Sequence, residues 1–220
     1  LLTLKYAGAK RIYVVQNEDD ARSIQSELSE ECLLIGEKGG LKITGFDYGN
    51  TPSEFFNLDF SDMEIIFTST SGAKAIRIPP PNEQVFVGAL VNLAKIAVEI
   101  SEIAVKEQKD ISIIPAGYYS DETTYILEDW VASVLIADEI SKRQKSTIES
   151  KSVFLEKTQK ILAQSANIKK LLKNAPNALE LKKLGFMEDV NFAIKINLLD
   201  NILKVNKWLK VNDTDCVVLE

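Results

Sequence analysis

The chain has 220 residues, a mass of 24.5 kDa and a formal net charge of −6, with 45% hydrophobic and 26% charged residues. These proportions exclude a disordered, collagen-like or disulfide-rich chain and leave room for one substantial core. The histidine count is zero, which removes Ser-His-Asp and Cys-His catalysis, a histidine general base and His-ligated zinc. Acid–base or metal chemistry must therefore use carboxylates, Lys, Tyr, Ser, Thr or Asn, and such oxygen ligands suit Mg²⁺, Mn²⁺ or Ca²⁺.

In chain order, Arg11-Ile12-Tyr13-Val14-Val15 is a short β-rich run. Asn17 then offers an N-cap to a helix over 17–28, with Glu18, Asp19 and Asp20 in the first turn, where acids suit the helix dipole. Further short apolar runs at 33–35, 64–67, 85–87 and 111–114 predict strands covered on both faces. Leu90, Leu93, Ala94, Ala97, Ile100 and Ala104 share one helical stripe, and a second helical pattern spans 124–142. Strands separated by helices imply βαβ units. The expected fold is α/β, a single three-layer αβα domain over 1–220 with a mainly parallel or mixed sheet.

Residues 148–174 read as a lysine-rich helix, and 177–184 and 188–196 as shorter helices around Gly185. The tail, 208–211 and 216–219, has strand character with an Asn-Asp-Thr-Asp turn between, which suggests a small β-ribbon or edge strand. Charge is uneven: residues 17–64 hold twelve acids and three bases, and residues 145–183 nine lysines and three glutamates. The lysines read as solvated helix faces rather than a nucleic-acid surface. Two distant cysteines, no signal peptide before the first strand and no apolar run near the roughly 18–20 residues of a bilayer span point to the cytoplasm.

Three segments draw chemical interest. Residues 35–54 follow a buried strand and hold five of the ten glycines, with Glu37, Asp47 and Asn50 among them. Ligands in open α/β sheets gather beyond the strand carboxyl ends, and glycines let backbone N–H groups approach an anion. Such a loop suits a hard cation beside a phosphate, or is a surface loop whose glycines serve turns only. Phe67-Thr68-Ser69-Thr70-Ser71-Gly72 runs from a strand into a hydroxyl-rich turn, either a phosphate site or an ordinary helix N-cap. It lacks the glycine spacing of a Walker A motif. Glu128 and Asp129 are adjacent acids in an apolar helix, either functional or a half-exposed N-terminal pair; helical neighbours point about 100° apart and would not chelate one ion symmetrically.

In this order and spacing these segments resemble the 2-phosphosulfolactate phosphatase family. The residues that carry the resemblance are Gly36-Glu37-Lys38-Gly39-Gly40, Gly45-Phe46-Asp47-Tyr48-Gly49-Asn50-Thr51-Pro52-Ser53-Glu54, Ser69-Thr70-Ser71-Gly72-Ala73, Ala116-Gly117 and Glu128-Asp129, with Leu184-Gly185-Phe186 and Asp189 near the end. The resemblance implies a single three-layer α/β domain and a Mg²⁺-dependent phosphatase acting on 2-phosphosulfolactate on the way to coenzyme M. It also implies an opening Asp-Val-x-Arg-Ala segment, and this sequence starts at Leu1, just past it. The expected catalytic acids are Glu37, Asp47 and Glu128. Substrate contacts are expected from Lys38, Asn50, Thr70, Ser71 and Gly72, and metal ligation from Asp47, Glu128 and Asp129. Glu37, Asp47, Gly72 and Glu128 are expected to converge at one end of the sheet. The family's arginine after the glutamate is Lys38 here, its Asn-Gly-Thr is Ser71-Gly72-Ala73, and Tyr118 stands where it carries arginine. These changes favour slow turnover, or a non-catalytic ligand-binding or assembly protein on the same scaffold. The partners expected are a small anionic phosphoester and a second copy of the chain, with neither nucleic acid nor membrane.

Overall fold

The computed structural model describes residues 1–28, 31–117, 126–144, 160–161, 163, 167–211 and 213–220. Three parallel strands form its centre: β1 (Arg11–Val14), β2 (Leu33–Lys38) and β4 (Glu64–Thr68). With β3 (Leu41–Lys42), β5 (Val205–Val211) and β6 (Thr214–Leu219) they make a mixed sheet in the order β3-β2-β4-β1-β6-β5. The register pairs Ile12 with Ile65 and Ile35 with Phe67.

Both faces of the sheet are buried, which explains why its central strands are apolar without alternation. Ile12, Val14, Ile35, Ile65, Phe67, Val217 and Leu219 point to one side, where they meet Leu2 and Leu4 of α1 (Leu2–Tyr6), Phe55 of α3 (Pro52–Phe55) and Ala73 of α4 (Gly72–Ala75). Tyr13, Val15, Leu34, Ile66, Cys216 and Val218 point to the other and meet Ala21 and Ile24 of α2 (Glu18–Leu28). Asn17 caps α2 as its sequence suggests, its Oδ1 accepting from the Asp20 N–H at 2.9 Å. A separate cluster joins α5 (Leu93–Glu107), α6 (Leu127–Gln144) and α7 (Ile168–Lys173) through Ile96, Ala97, Val131, Ile136, Ile140 and Ile168. Next come α8 (Pro176–Lys183), with Pro176 opening the helix, and α9 (Met187–Ala193). No described helix is long and apolar enough to cross a membrane.

Two expected strands are absent from the sheet. Residues 85–87 make one antiparallel bridge, Phe86 to Lys204, with Val87 N–H donating to Leu203 O at 2.9 Å. Residues 111–114 form no regular element and border a cavity instead. The tail takes the place beside β1, and residues 85–87 bond instead to residues 203–205 at the start of β5. Within the tail, β6 runs antiparallel to β1 as an interior strand, with residues 216–219 fully buried, and β5 completes the expected ribbon as the edge strand beside it. Of the expected helix over 148–174, residues 160–161 and 163 are helical and the end is α7. The expected helix over 124–142 begins at Leu127.

Candidate active site

The carboxyl ends of β2 and β4 lie side by side, and Gly36 makes this possible. It pairs with Thr68, and a Cβ there would stand 2.6 Å from Thr68 O. Beyond Gly36, β2 continues through Glu37 into a turn at Gly39 and Gly40, whose φ values of 61° and 81° suit glycine. Glu37 then reaches across to the loop after β4. Its Oε1 accepts from the Thr70 N–H at 2.7 Å. Its Oε2 accepts from the Thr70 hydroxyl at 3.0 Å and the Gly40 N–H at 2.8 Å. The Gly39 N–H donates to Thr70 Oγ1 at 3.3 Å. One carboxylate thus fixes both glycine-bearing loops, and Ser71 and Gly72 follow directly from the residue it holds.

Glu37 accepts three hydrogen bonds from the two loops, so the geometry makes it a brace between them. Lys38 projects into solvent and pairs with Glu18 at the start of α2, N to O 3.3 Å. Asp47 sits elsewhere. Its Oδ2 accepts from the Leu34 N–H at 2.8 Å, and Asp47 N–H donates to Leu34 O at 2.9 Å. Leu34 precedes Glu37 by three residues, about 10 Å along a strand. Asp47 therefore completes the hydrogen bonding along the outer side of β2 and does not join the Glu37 group. The Asp47→Ala variant should lose roughly 0.5–1.5 kcal/mol of stability, the worth of one such bond, with phosphate release kept within about threefold. Unchanged unfolding with a hundredfold slower reaction would return Asp47 to the reacting set.

Asp129 occupies the first turn of α6 and lines a largely apolar cavity of about 600 Å³ together with Gly72, Ala75, Ile76, Ile113 and Ser133. The same cavity thus borders both α6 and the loop after β4. Among the described residues no donor bonds the Asp129 carboxylate. Burial, and after it the adjacent Glu128 carboxylate, push its pKa from the ordinary 3.8 up to about 6. Glu128, its helical neighbour, does not border the cavity. Tyr118 lies outside the described residues. Both cysteines are free and buried, and burial raises both thiols, so neither supplies a thiolate nucleophile.

The expected metal set does not assemble. Among the described residues no three acidic or cysteine side chains are grouped to hold an ion, so Asp47, Glu128 and Asp129 do not make a cation cage. Two residues that the resemblance includes without a role also contribute. Ser69 Oγ accepts from the Ala73 N–H at 3.1 Å and shapes the turn beside Thr70. Asp189, buried in α9, accepts at Oδ1 from Ser53 N–H at 2.9 Å and Ser53 Oγ–H at 2.7 Å. Its place in the Leu184-Gly185-Phe186 stretch was the available signal.

Fold and site together define an open, mixed α/β domain whose strand carboxyl ends carry a hydrogen-bonded, glycine-bearing cradle. The sequence matches the 2-phosphosulpholactate phosphatase family over residues 2–207. It is 30% identical over 201 residues to a protein of Carboxydothermus hydrogenoformans named probable 2-phosphosulfolactate phosphatase, covering 91% of this chain and 78% of that one. A Caldanaerobacter subterraneus protein of the same name is 29% identical over 95% of this chain and 83% of its own. The 2-phosphosulfolactate phosphatase of Methanocaldococcus jannaschii is 30% identical over 79% of this chain and 72% of its own. The chain belongs to the 2-phosphosulpholactate phosphatase family, a family of phosphoric monoester hydrolases.

Proposed function

We propose that the chain hydrolyses a small, doubly anionic phosphoester of the 2-phosphosulfolactate type to the free alcohol, sulfolactate, and inorganic phosphate. Family membership supports the reaction class. The observation that carries the site is the Glu37 brace, which holds the Gly39-Gly40 and Thr70-Ser71-Gly72 loops together beyond adjacent parallel strands. In this reading Ser71 and Gly72, which follow the Thr70 that Glu37 holds, face the phosphoryl oxygens, with Asn50 and Lys38 at the rim. Water forms the new O–P bond as the ester O–P bond breaks, the departing alkoxide takes up a proton, and the proton shed by the attacking water stays on the phosphate until it restores the donor. Asp129, held neutral up to about pH 6 in the cavity it shares with Gly72, is a proton donor for that step.

A magnesium requirement, a place in coenzyme M synthesis, a cytoplasmic location and a homodimer belong to this proposal only as the family resemblance suggests them. Magnesium would lend charge neutralisation at the phosphoryl group. The described acids do not group around such an ion, and no step here runs through it.

Incubation with 2-phosphosulfolactate is expected to release inorganic phosphate. Thr70→Val, which removes the hydroxyl between Gly39 and Glu37, should slow release by about ten- to a hundredfold, the kinetic equivalent of one hydrogen bond to a charged group. No release from this ester, or from a panel of sulfonated and carboxylated phosphoesters, would reject catalysis in favour of a binding or assembly role.

A further inference from the structure

Asp189 is 8% exposed, and its Oδ1 accepts both donors of Ser53. Among the described residues no lysine or arginine pairs with it. A buried carboxylate without a cation is costly, and apolar contact already joins the two helices, since Phe56 after α3 packs on Phe192 of α9 with ring centroids 5.4 Å apart. Attachment alone did not require an ionisable acid. What the carboxylate adds is direction. It grips the backbone N–H and the hydroxyl of one residue and so sets the rotation of the first turn of α3.

That turn leads to the cradle. Asn50 and Thr51 immediately precede α3. Gly49 packs on Lys42, where an added Cβ would stand 3.4 Å from the lysine Cβ, and Lys42 is the cross-strand partner of Glu37. A continuous path therefore runs from Asp189 through Ser53, Asn50, Gly49 and Lys42 to Glu37.

We propose that Asp189 is a positioning residue: it holds Ser53 so that Asn50 is presented at the rim of the phosphate cradle. The assignment of Asn50 to substrate rests on the proposed function, whereas the anchoring of its turn does not. In 2-phosphosulfolactate hydrolysis, Asp189→Ala should raise KM about tenfold, with kcat within about threefold, because losing one rim contact weakens binding more than chemistry. Asp189→Asn keeps an oxygen acceptor for both Ser53 donors and should restore KM to within about twofold. Asp189→Ala combined with Asn50→Ala should be no worse than Asn50→Ala alone, as expected when one residue acts through the other. Additive losses, or a fall in kcat without change in KM, would overturn the assignment.

Amide hydrogen exchange gives a readout independent of turnover. Asp189→Ala should lose protection in residues 50–56, and Asp189→Asn should keep it. Should Asp189→Ala fail to fold, Ser53→Ala removes only the hydroxyl donor and should raise KM about threefold. A wild-type chain that hydrolyses no phosphoester rejects the proposed function and the Asn50 role with it. Wild-type protection of residues 50–56 in both Asp189→Ala and Ser53→Ala rejects the anchor itself.

Discussion

Alanine in place of Glu37 is expected to lower both stability and phosphate release more than any other single change in the cradle. Three donors converge on this carboxylate: the Thr70 N–H, the Thr70 hydroxyl and the Gly40 N–H. Hydrogen bonds to a charged group are worth about 1.5–3 kcal/mol each, and the two N–H groups would lose their acceptor in a half-buried place. A loss of roughly 3 kcal/mol or more is expected, and a rate reduction of at least a hundredfold, because two loops would lose their common brace. Glu37→Gln keeps one carbonyl oxygen but turns an NH₂ toward a donor, so it should fall between alanine and wild type. Glu37→Asp is one methylene short of the Thr70 loop and should resemble alanine. Denaturant unfolding and phosphate release, measured on all three, decide the matter. Wild-type stability with lost activity would mean that Glu37 takes part in the chemistry directly; normal activity in Glu37→Ala would remove the cradle from the mechanism.

The reach of Glu37 marks the limit of what the sequence makes legible. Its own strand is plain because a run such as Leu33-Leu34-Ile35, apolar on both faces, has few other places to go than the middle of a sheet. The helix after Asn17 is equally plain, since cap and first-turn acids are local signals. Partnership is not local. Glu37 and Thr70 are 33 residues apart, and no spacing rule joins a carboxylate after one strand to a hydroxyl after another. The same limitation explains residues 85–87 and 111–114, whose composition suits a strand although the tail fills the place beside β1. It explains Asp189 too: beside Glu188 in a first helical turn it resembles an ordinary dipole-compensating acid, and only the fold reveals Ser53 opposite. Asp47 is the converse case. A carboxylate in a glycine-rich loop invites a catalytic reading, yet its partner is the N–H of Leu34, a backbone group that sequence cannot single out.

Replacing Asp129 with asparagine is expected to stabilise the protein, and to do so only above about pH 4. The Asp129 carboxyl has a folded pKa of about 6 against an ordinary 3.8, chiefly because burial disfavours the anion and secondarily because Glu128 repels it. Between those two values the folded chain holds a proton that the unfolded chain has released. Stability therefore falls as pH rises through this window, and levels off above pH 6 with the penalty fully present. The penalty at pH 7–8 is at most about 3 kcal/mol, and for a chain of this size it corresponds to roughly 5–10 °C in Tm. Asparagine keeps the shape without the charge, so Asp129→Asn should gain most of this at pH 8 and almost nothing at pH 4. Tm measured across that range for both proteins gives the answer. A gain that is the same at pH 4 and pH 8 would show an effect of packing, and a loss at pH 8 would show that the ionised carboxylate has a partner that the described residues do not supply. If Asp129 is also the proton donor to the leaving alkoxide, the variant should be the slower enzyme, most of all below about pH 6, where the wild-type carboxyl holds a proton and an amide has none to give. Higher Tm with undiminished phosphate release would leave the buried acid without that role.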